Sequence, residues 1–411
     1  MQRVFRQGLR AIALAGAAIG AVSCSGSKDA ATGGDAIKVG VYGPYTGGSQ
    51  PMGASMRDGV RLAVEEINAK GGVLGKKIQL VERDDQAVPE RGAQVMQDLV
   101  SNEKVVAVLG PINTGVALAS YKYPMQAKIP LIINVSAGAP VNELFKDNPD
   151  NYVFRIAASD DIQAEMIVAE AADKRGLKKV AFLCDETNYG QNGCKKMTEA
   201  ATRRGITPVY VGKFKIKDTD MTAQLQEARK AGAQAVLTYG IGPELAQIAN
   251  GMNKLGWKVP MIASWTASMS NFIDAAAANG NGVVMPQTFI QAGATRPQAT
   301  SFIEAYTKKY GTDRIPSAVS AAQGYDSMHL LANAIAQAGS TDGPKVKAAL
   351  ENLSQPYEGA IATFSKPYSA TDHEAIHKEQ VVMGKVDNGK VVPPGGAPAA
   401  SATTPTDTTR K

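Results

Sequence analysis

Beyond its first 24 residues this chain has no long apolar run and no concentration of one charge, and the whole sequence holds few cysteines or histidines, three of each. Each shortage closes off a class of function. Without a second apolar run the body is expected to be soluble, because a spanning helix needs about 20 apolar residues. The formal net charge is +6, from 44 Lys and Arg against 38 Asp and Glu. Basic pairs such as Lys76-Lys77, Lys178-Lys179 and Lys195-Lys196 are scattered among acids. That describes a solvated surface, whereas a nucleic-acid interface needs a basic stripe or patch; no nucleic-acid partner is expected. There is no G-x-S-x-G elbow and no Walker loop. Gly40, Gly43, Gly47 and Gly48 do not have the spacing of a dinucleotide loop, and no cofactor is expected.

The cysteines divide by position. Residues 1–24 read MQRVFRQGLRAIALAGAAIGAVSC, with Arg3, Arg6 and Arg10 ahead of an uncharged run from Ala11 to Val22. This is the layout of a secretory signal. Its Ala-Val-Ser-Cys ending resembles a bacterial lipoprotein signal, in which Cys24 becomes the lipidated first residue. Ala21 departs from the more usual leucine. A lipid anchor on Cys24 and a periplasmic or extracytoplasmic location are therefore expected, with the membrane reached through the lipid alone. Cys184 and Cys194 remain, in a compartment where disulfides persist. Ten residues apart, they can bridge a strand end to the following helix, and sequence alone leaves that bridge open.

Between a small polar tether (25–35) and a Pro, Ala, Ser and Thr tail expected to be disordered (391–411), strands and helices alternate. Ile37–Tyr42 reads as a strand. Met56, Val60, Ala63, Val64 and Ile67 mark one face of a helix that Gly71-Gly72 ends. The rhythm continues through strands at Ile78–Glu82, Val105–Leu109 and Leu131–Val135, and resumes at Lys179–Leu183, Thr207–Gly212, Ala235–Tyr239 and Val259–Ala263. Repeated strand–helix–strand units predict parallel sheets covered on both faces, in two similar α/β lobes. Ligands of such sheets bind beyond the carboxyl ends of the strands. The loops to watch are 43–52, 111–114, 135–138, 185–189, 240–243 and 264–268.

The stretch IKVGVYGPYTGGSQPMGASMRDGVRLAVEEINAKGGVLGKKIQLVERDD resembles the opening of periplasmic Leu/Ile/Val-binding proteins. The resemblance continues through VAVLGPINTG, PLIINVSA, NYVFRIAASD, VAFLCDETNYGQNG and AAQGYDSMHLLANAI, over roughly residues 36–385. It implies the type I periplasmic-binding fold, two doubly wound parallel-sheet lobes joined by three hinge crossovers. Lobe 1 would hold 36–155 and 290–355, and lobe 2 would hold 156–289 and 356–390. It implies no enzyme activity, but the solute-binding part of an ABC importer, with permease subunits as partners and a monomeric state. A small polar or aromatic solute, or an amino acid, would be captured by lobe closure.

The resemblance also implies site residues. Thr114 falls where a loop hydroxyl helps to hold a ligand carboxylate, although Thr also suits a helix N-cap. Ser136, Ala137 and Gly138 fall in the loop that lends a carbonyl and a second hydroxyl; Gly138 has no hydroxyl to lend. Tyr189 matches a tyrosine that covers the ligand. A second aromatic position falls on Gly240-Ile241-Gly242, which leaves space for a bulkier ligand at Gly242. The acid that pairs with the ligand ammonium falls on Trp265, whose flat face suits stacking or a cation–π contact. A buried ammonium needs a counter-charge, and Asp185, Glu186 and Asp326 are the acids at hand. Whether the ligand carries an α-amino group stays open.

Two other readings compete. A type I lobe pair can serve as a ligand sensor that signals through a membrane partner. His373-Glu374-Ala375-Ile376-His377 is a literal H-E-x-x-H, the motif of zinc hydrolases, but those proteins carry it on a helix. Here Pro367 and Ser369–Asp372 precede it and Lys378–Met383 reads as a strand, so no metal site is expected.

Overall fold

The computed structural model describes residues 36–144 and 147–394. The signal and Cys24, the tether and the tail beyond 394 lie outside the described residues.

The first lobe begins with β1 (Ile37–Gly43), α1 (Gln50–Ala69), β2 (Ile78–Asp84), α2 (Pro89–Ser101) and β3 (Ala107–Leu109). It continues with α3 (Thr114–Ser120), α4 (Lys122–Ala127), β4 (Leu131–Ile133), α5 (Pro140–Glu143) and β5 (Val153–Arg155). These strands form a parallel sheet in the order β2-β1-β3-β4-β5. The second lobe repeats that pattern. Its elements are α6 (Asp160–Ala169), β6 (Val180–Asp185), α7 (Asn188–Thr202), β7 (Tyr210–Phe214), α8 (Thr222–Lys230), β8 (Ala235–Tyr239), α9 (Gly242–Lys254), β9 (Met261–Ala263), α10 (Ser270–Ala276) and β10 (Val284–Gln287). The parallel order β7-β6-β8-β9-β10 is that of the first sheet. β13 (Val382–Asp387) and β14 (Lys390–Val392) add an antiparallel edge beside β10, after α11 (Pro297–Tyr310), α12 (Ala318–Ala338), α13 (Gly343–Leu350) and the short hairpin β11 (Tyr357–Glu358) and β12 (Thr363–Phe364). In each sheet the order reverses between the first and third strands. The loops diverge there and leave a crevice at the strands' carboxyl ends.

Burial follows the parallel pattern. Ala235–Tyr239 is buried at every position, as a strand covered on both faces requires. Two glycines bring α12 back onto lobe 1. A Cβ on Gly59 would stand 2.1 Å from the Ala321 carbonyl oxygen, and one on Gly324 would stand 2.2 Å from that of Met56. Only glycine allows α1 and α12 this backbone-to-backbone approach.

Some boundaries differ from the sequence expectation. β7 starts at Tyr210, after Pro208, which has no N–H to give to a ladder. The helical stretch between β3 and β4 breaks at Tyr121 into α3 and α4. Lys378–Gln380 is a single 3-10 turn, and the strand begins only at Val382.

The chain passes between lobes after β5, after β10 and ahead of β13. The third passage comes later than residue 356. Tyr357 stacks on His329 of α12, with ring centres 5.4 Å apart. His373–Ala375 then runs beside β5: Arg155 N donates to His373 O at 2.8 Å, and Ala375 N donates to Arg155 O at 2.9 Å. Residues 357–375 thus pack with lobe 1, contrary to the boundary expected from sequence. The pairings with β5 join residues more than 200 positions apart, which no local pattern encodes.

Candidate functional site

The lobes touch along the crevice. Asn271 Nδ2 donates to Gly48 O at 2.9 Å, Ser270 N donates to Pro316 O at 2.8 Å, and Arg314 pairs with Asp274 at 2.7 Å. Lys196 on α7 reaches Glu143 on α5 at 3.5 Å. Between the lobes lies a cavity of about 410 Å³, a volume suited to a small organic molecule. Lobe 1 contributes 46–49, Gln86, Ala87, Pro89 and 113–116, and lobe 2 contributes 187–189, 216–217, Ile241 and Glu244. These are the divergent loops of the two sheets.

Thr114 and Tyr189 both line this cavity, from opposite lobes. Thr114 is the first residue of α3, and Asn113 is the N-cap, so Thr114 does not have the capping role open to it in sequence. Ser136 Oγ donates to Thr114 Oγ1 at 3.3 Å. Gly138 has no hydroxyl because there is no room for one: a Cβ would stand 2.2 Å from the Thr114 methyl. The Ser136-Ala137-Gly138 loop is clamped from two sides. Asp160 N donates to Ala137 O at 2.8 Å, and Arg155 Nη1 donates to Gly138 O at 2.9 Å.

Tyr189 enters on the first turn of α7, where Thr187 Oγ1 accepts from Gly190 N. A disulfide joins Cys184, near the end of β6, to Cys194 on α7, with Cα atoms 6.1 Å apart. It ties the tyrosine's helix to the sheet beneath it. Replacing both cysteines by serine should cost about 2–3 kcal/mol, the loop-closure entropy of a ten-residue separation. Urea unfolding of the double variant checks this, and a loss below about 0.5 kcal/mol would assign the bridge no stabilising role.

Six expected ligand contacts do not line this cavity: Ser136, Ala137 and Gly138, which lie behind Thr114, and Asp326, Gly242 and Trp265, which lie elsewhere. Asp326 is fully buried on α12. Its Oδ1 accepts from Tyr357 Oη and Ala360 N, and its Oδ2 accepts from Ile361 N. It holds the β11–β12 hairpin with both oxygens and does not line the cleft. Gly242 leaves no open space. A Cβ there would stand 2.4 Å from Met269 Cε and 2.7 Å from Asn271 Oδ1, and one on Gly240 would stand 2.7 Å from the Phe214 ring. Lobe 2 fills both positions with its own side chains. Trp265 lines a separate void of about 10 Å³ beside the chain passages, with Val135, Ala157, Gln287, Val319 and Val381. That void has room for about one water. Gln163 Oε1, Thr288 Oγ1 and Gln323 Oε1 are buried residents of its wall without hydrogen-bond partners.

Glu244 is the acid that lines the cavity, and an acid that sequence reasoning missed lies behind Tyr189, linked to it through Tyr239. Asp160 is 0% exposed at the first turn of α6. Its Oδ1 accepts from Tyr239 Oη at 2.6 Å, and its Oδ2 has no partner. The Tyr239 ring lies 4.7 Å from that of Tyr189, whose buried hydroxyl is also without a partner. Burial pushes the Asp160 carboxyl up to about 7. In sequence, Ser159-Asp160-Asp161 reads as an ordinary helix start, and Ser159 does cap α6. Only the approach of Tyr239, 79 positions away, sets Asp160 apart. Asn113 was missed as well; it lines the cleft with Oδ1 unpartnered.

The H-E-x-x-H residues are spread along an extended segment. Glu374 makes a two-pronged pair with Arg155, at 2.7 and 2.5 Å. His373 stacks on Phe154 at 4.0 Å, and its ring nitrogens lie 2.8 Å from Val153 O and 3.1 Å from Glu351 Oε1. His377 is half exposed, 3.9 Å from Asp372. Among the described residues no group of three or more His, Cys, Asp or Glu is gathered to hold a metal.

The family described as periplasmic binding protein matches residues 36–390. A Leu/Ile/Val-binding protein homolog of Brucella melitensis is 26% identical, over 87% of this chain and 93% of the relative. A periplasmic binding protein type 1 from Bordetella pertussis has a TM-score of 0.80 at 28% identity, covering 87% of this chain and all of that one. The branched-chain amino acid transporter substrate-binding protein of Streptococcus pneumoniae, solved with isoleucine, has a TM-score of 0.76 at 26% identity, covering 87% of this chain and 98% of that one.

Proposed function

Because the chain belongs to the periplasmic binding protein family, we propose that it captures an amino acid or a related amine in its interlobe cleft for an ABC importer. The observation that carries the amine is Asp160. A fully buried carboxylate with an unpartnered oxygen is costly unless a ligand completes it. It adjoins the Ala137 loop, and Tyr239 links it to Tyr189 at the cleft. An ammonium group supplies both the charge and the hydrogen-bond donors that Asp160 lacks. Thr114 and Ser136 would receive the carboxylate end, and Asp160 would take the task that Trp265 cannot perform. Lobe closure would trap the ligand, and permease subunits would receive it.

A thermal-shift screen tests the ligand class. It compares amino acids with their des-amino analogues and with aromatic acids and amides. At 100 times its dissociation constant, a ligand stabilises by about 2.7 kcal/mol. Amino acids should stabilise and their des-amino analogues should not. Stabilisation by an aromatic acid with no response to any amine would overturn the reading.

The pH dependence has two opposite signs. Burial raises Asp160 and Asp85 to about 7, and Asp185 and Asp326 to about 6, above the unfolded value of about 3.9. The folded state therefore holds these protons more tightly. Their contribution favours folding at low pH and is lost as the pH rises from about 4 through 7. The ammonium ligand needs Asp160 ionised, so its affinity should rise with pH and level off above about 7. A titration from pH 5.5 to 8.5 with flat affinity would remove Asp160 from the site.

Cys24, outside the described residues, is our proposed lipid anchor. A palmitate analogue should label the wild type and leave Cys24→Ala unlabelled. Equal labelling of both would refute the anchor.

A further inference from the structure

A second cavity, of about 380 Å³, shares no lining residue with the cleft. It too is built from both lobes. Ile273 of α10 and Val391 of β14 come from lobe 2, Ile303 of α11 and Ile315 come from the lobe 1 side, and Phe289 comes from the passage between them. The volume lies within the range of small-molecule sites, and the five aliphatic side chains Ile273, Ile290, Ile303, Ile315 and Val391 with Phe289 give it more apolar than polar surface.

Its polar groups are largely spent. Gln291 Nε2 donates to Asp313 O at 2.9 Å, while its Oε1 accepts from Ile315 N at 3.0 Å. Gln287 Nε2 donates to Trp265 O at 3.1 Å, and Ser268 Oγ donates to the same carbonyl at 2.7 Å. The charges on its wall balance. Arg314 is held by Asp274, outside the wall, and this leaves Lys390 and Asp313, both exposed, with opposite signs. A site of this kind offers apolar contact and no net charge. Its complement is a small uncharged apolar molecule, aromatic or branched aliphatic, because an ion would lose its hydration with no excess counter-charge to replace it.

The position gives such a molecule a consequence. Ser270 and Arg314 line the cavity, and each makes one of the bonds that join the lobes: Ser270 N to Pro316 O, and Arg314 to Asp274. Opening the lobes would pull these walls apart. We infer that this cavity is a second ligand site, for a small uncharged apolar solute, and that its occupant favours the closed form. By linkage, such an occupant raises the affinity of the cleft for its own ligand, and the cleft ligand raises the affinity for the occupant by the same factor.

The test uses the full chain with indole as probe. Indole should raise the melting temperature of the wild type and of the cleft variant Thr114→Trp alike. Ile303→Gln, on the partly buried face of α11, should bind indole about tenfold or more weakly, since it puts an amide among apolar groups. Small-angle scattering should show a smaller radius of gyration when indole alone is added. Loss of the indole response in Thr114→Trp would put indole in the cleft and overturn the inference, as would an unchanged response in Ile303→Gln. Should Ile303→Gln fold poorly, a wild-type crystal soaked with indole decides: density against Phe289 and Ile315 supports the site, and density elsewhere or none refutes it. A failure of the cleft's amine reading leaves these outcomes untouched, because none uses the cleft ligand.

Discussion

Asp160→Asn should lower affinity for an amino-acid ligand by roughly thirtyfold to several thousandfold, because truncating one partner of a buried charge pair costs about 2–5 kcal/mol. Asparagine keeps the shape and still accepts from Tyr239, but its remaining group is an N–H donor facing the ligand's own donors. Its effect on the free protein should have the opposite sign. Above about pH 7 the native Asp160 is an ionised carboxylate with one bare oxygen, an unfavourable state that the neutral amide avoids. Asp160→Asn should therefore melt no lower than the wild type at pH 8. Calorimetric titration with the best amino acid from the screen, alongside a melting curve, separates the two effects. A dissociation constant within threefold of wild type would mean that Asp160 is structural.

Arg155→Met should cost about 3–5 kcal/mol of stability, the usual penalty for removing one member of a buried ion pair. Arg155 is 2% exposed, and it serves both Glu374 and the Gly138 carbonyl. The Glu374 side chain retains 23% exposure and some solvation, which points to the lower end of that range. Adding Glu374→Leu should recover much of the loss, because an ion pair replaced on both sides by apolar groups is often close to neutral. Ligand affinity should stay lower even in the double variant, since the Gly138 loop has lost its clamp. Urea unfolding gives the stability cycle. A single-variant cost under about 1 kcal/mol, with no coupling between the sites, would show that the pair does not hold the loop.

These two arginine and aspartate residues mark where sequence reading ran short. Arg155 and Asp160 both lie in the quoted stretch NYVFRIAASD, yet nothing local separates them from any strand-end arginine or helix-start acid. Glu374 is 219 positions from Arg155, and Tyr239 is 79 from Asp160. The loops that carry Thr114 and Tyr189 were legible because each follows a strand of a parallel sheet, and the family resemblance singled out the two residues within them. Gly240 and Gly242 misled for the complementary reason. A missing side chain in sequence looks like free space, but Phe214, Met269 and Asn271 already occupy it.

By itself the sequence determined the alternating strands and helices, the two similar lobes and the family, because hydrophobic period and turn residues act within a few positions of one another. The expectation of a signal ending at Cys24 rests on an equally local pattern, charge followed by an apolar run. Tertiary structure alone decided that Tyr239 meets Asp160, what a glycine leaves open, that the H-E-x-x-H residues lie along an extended segment, and that the third passage comes after residue 375. Each of these depends on which distant side chains share one small volume, and shared volume is settled only when the chain has packed.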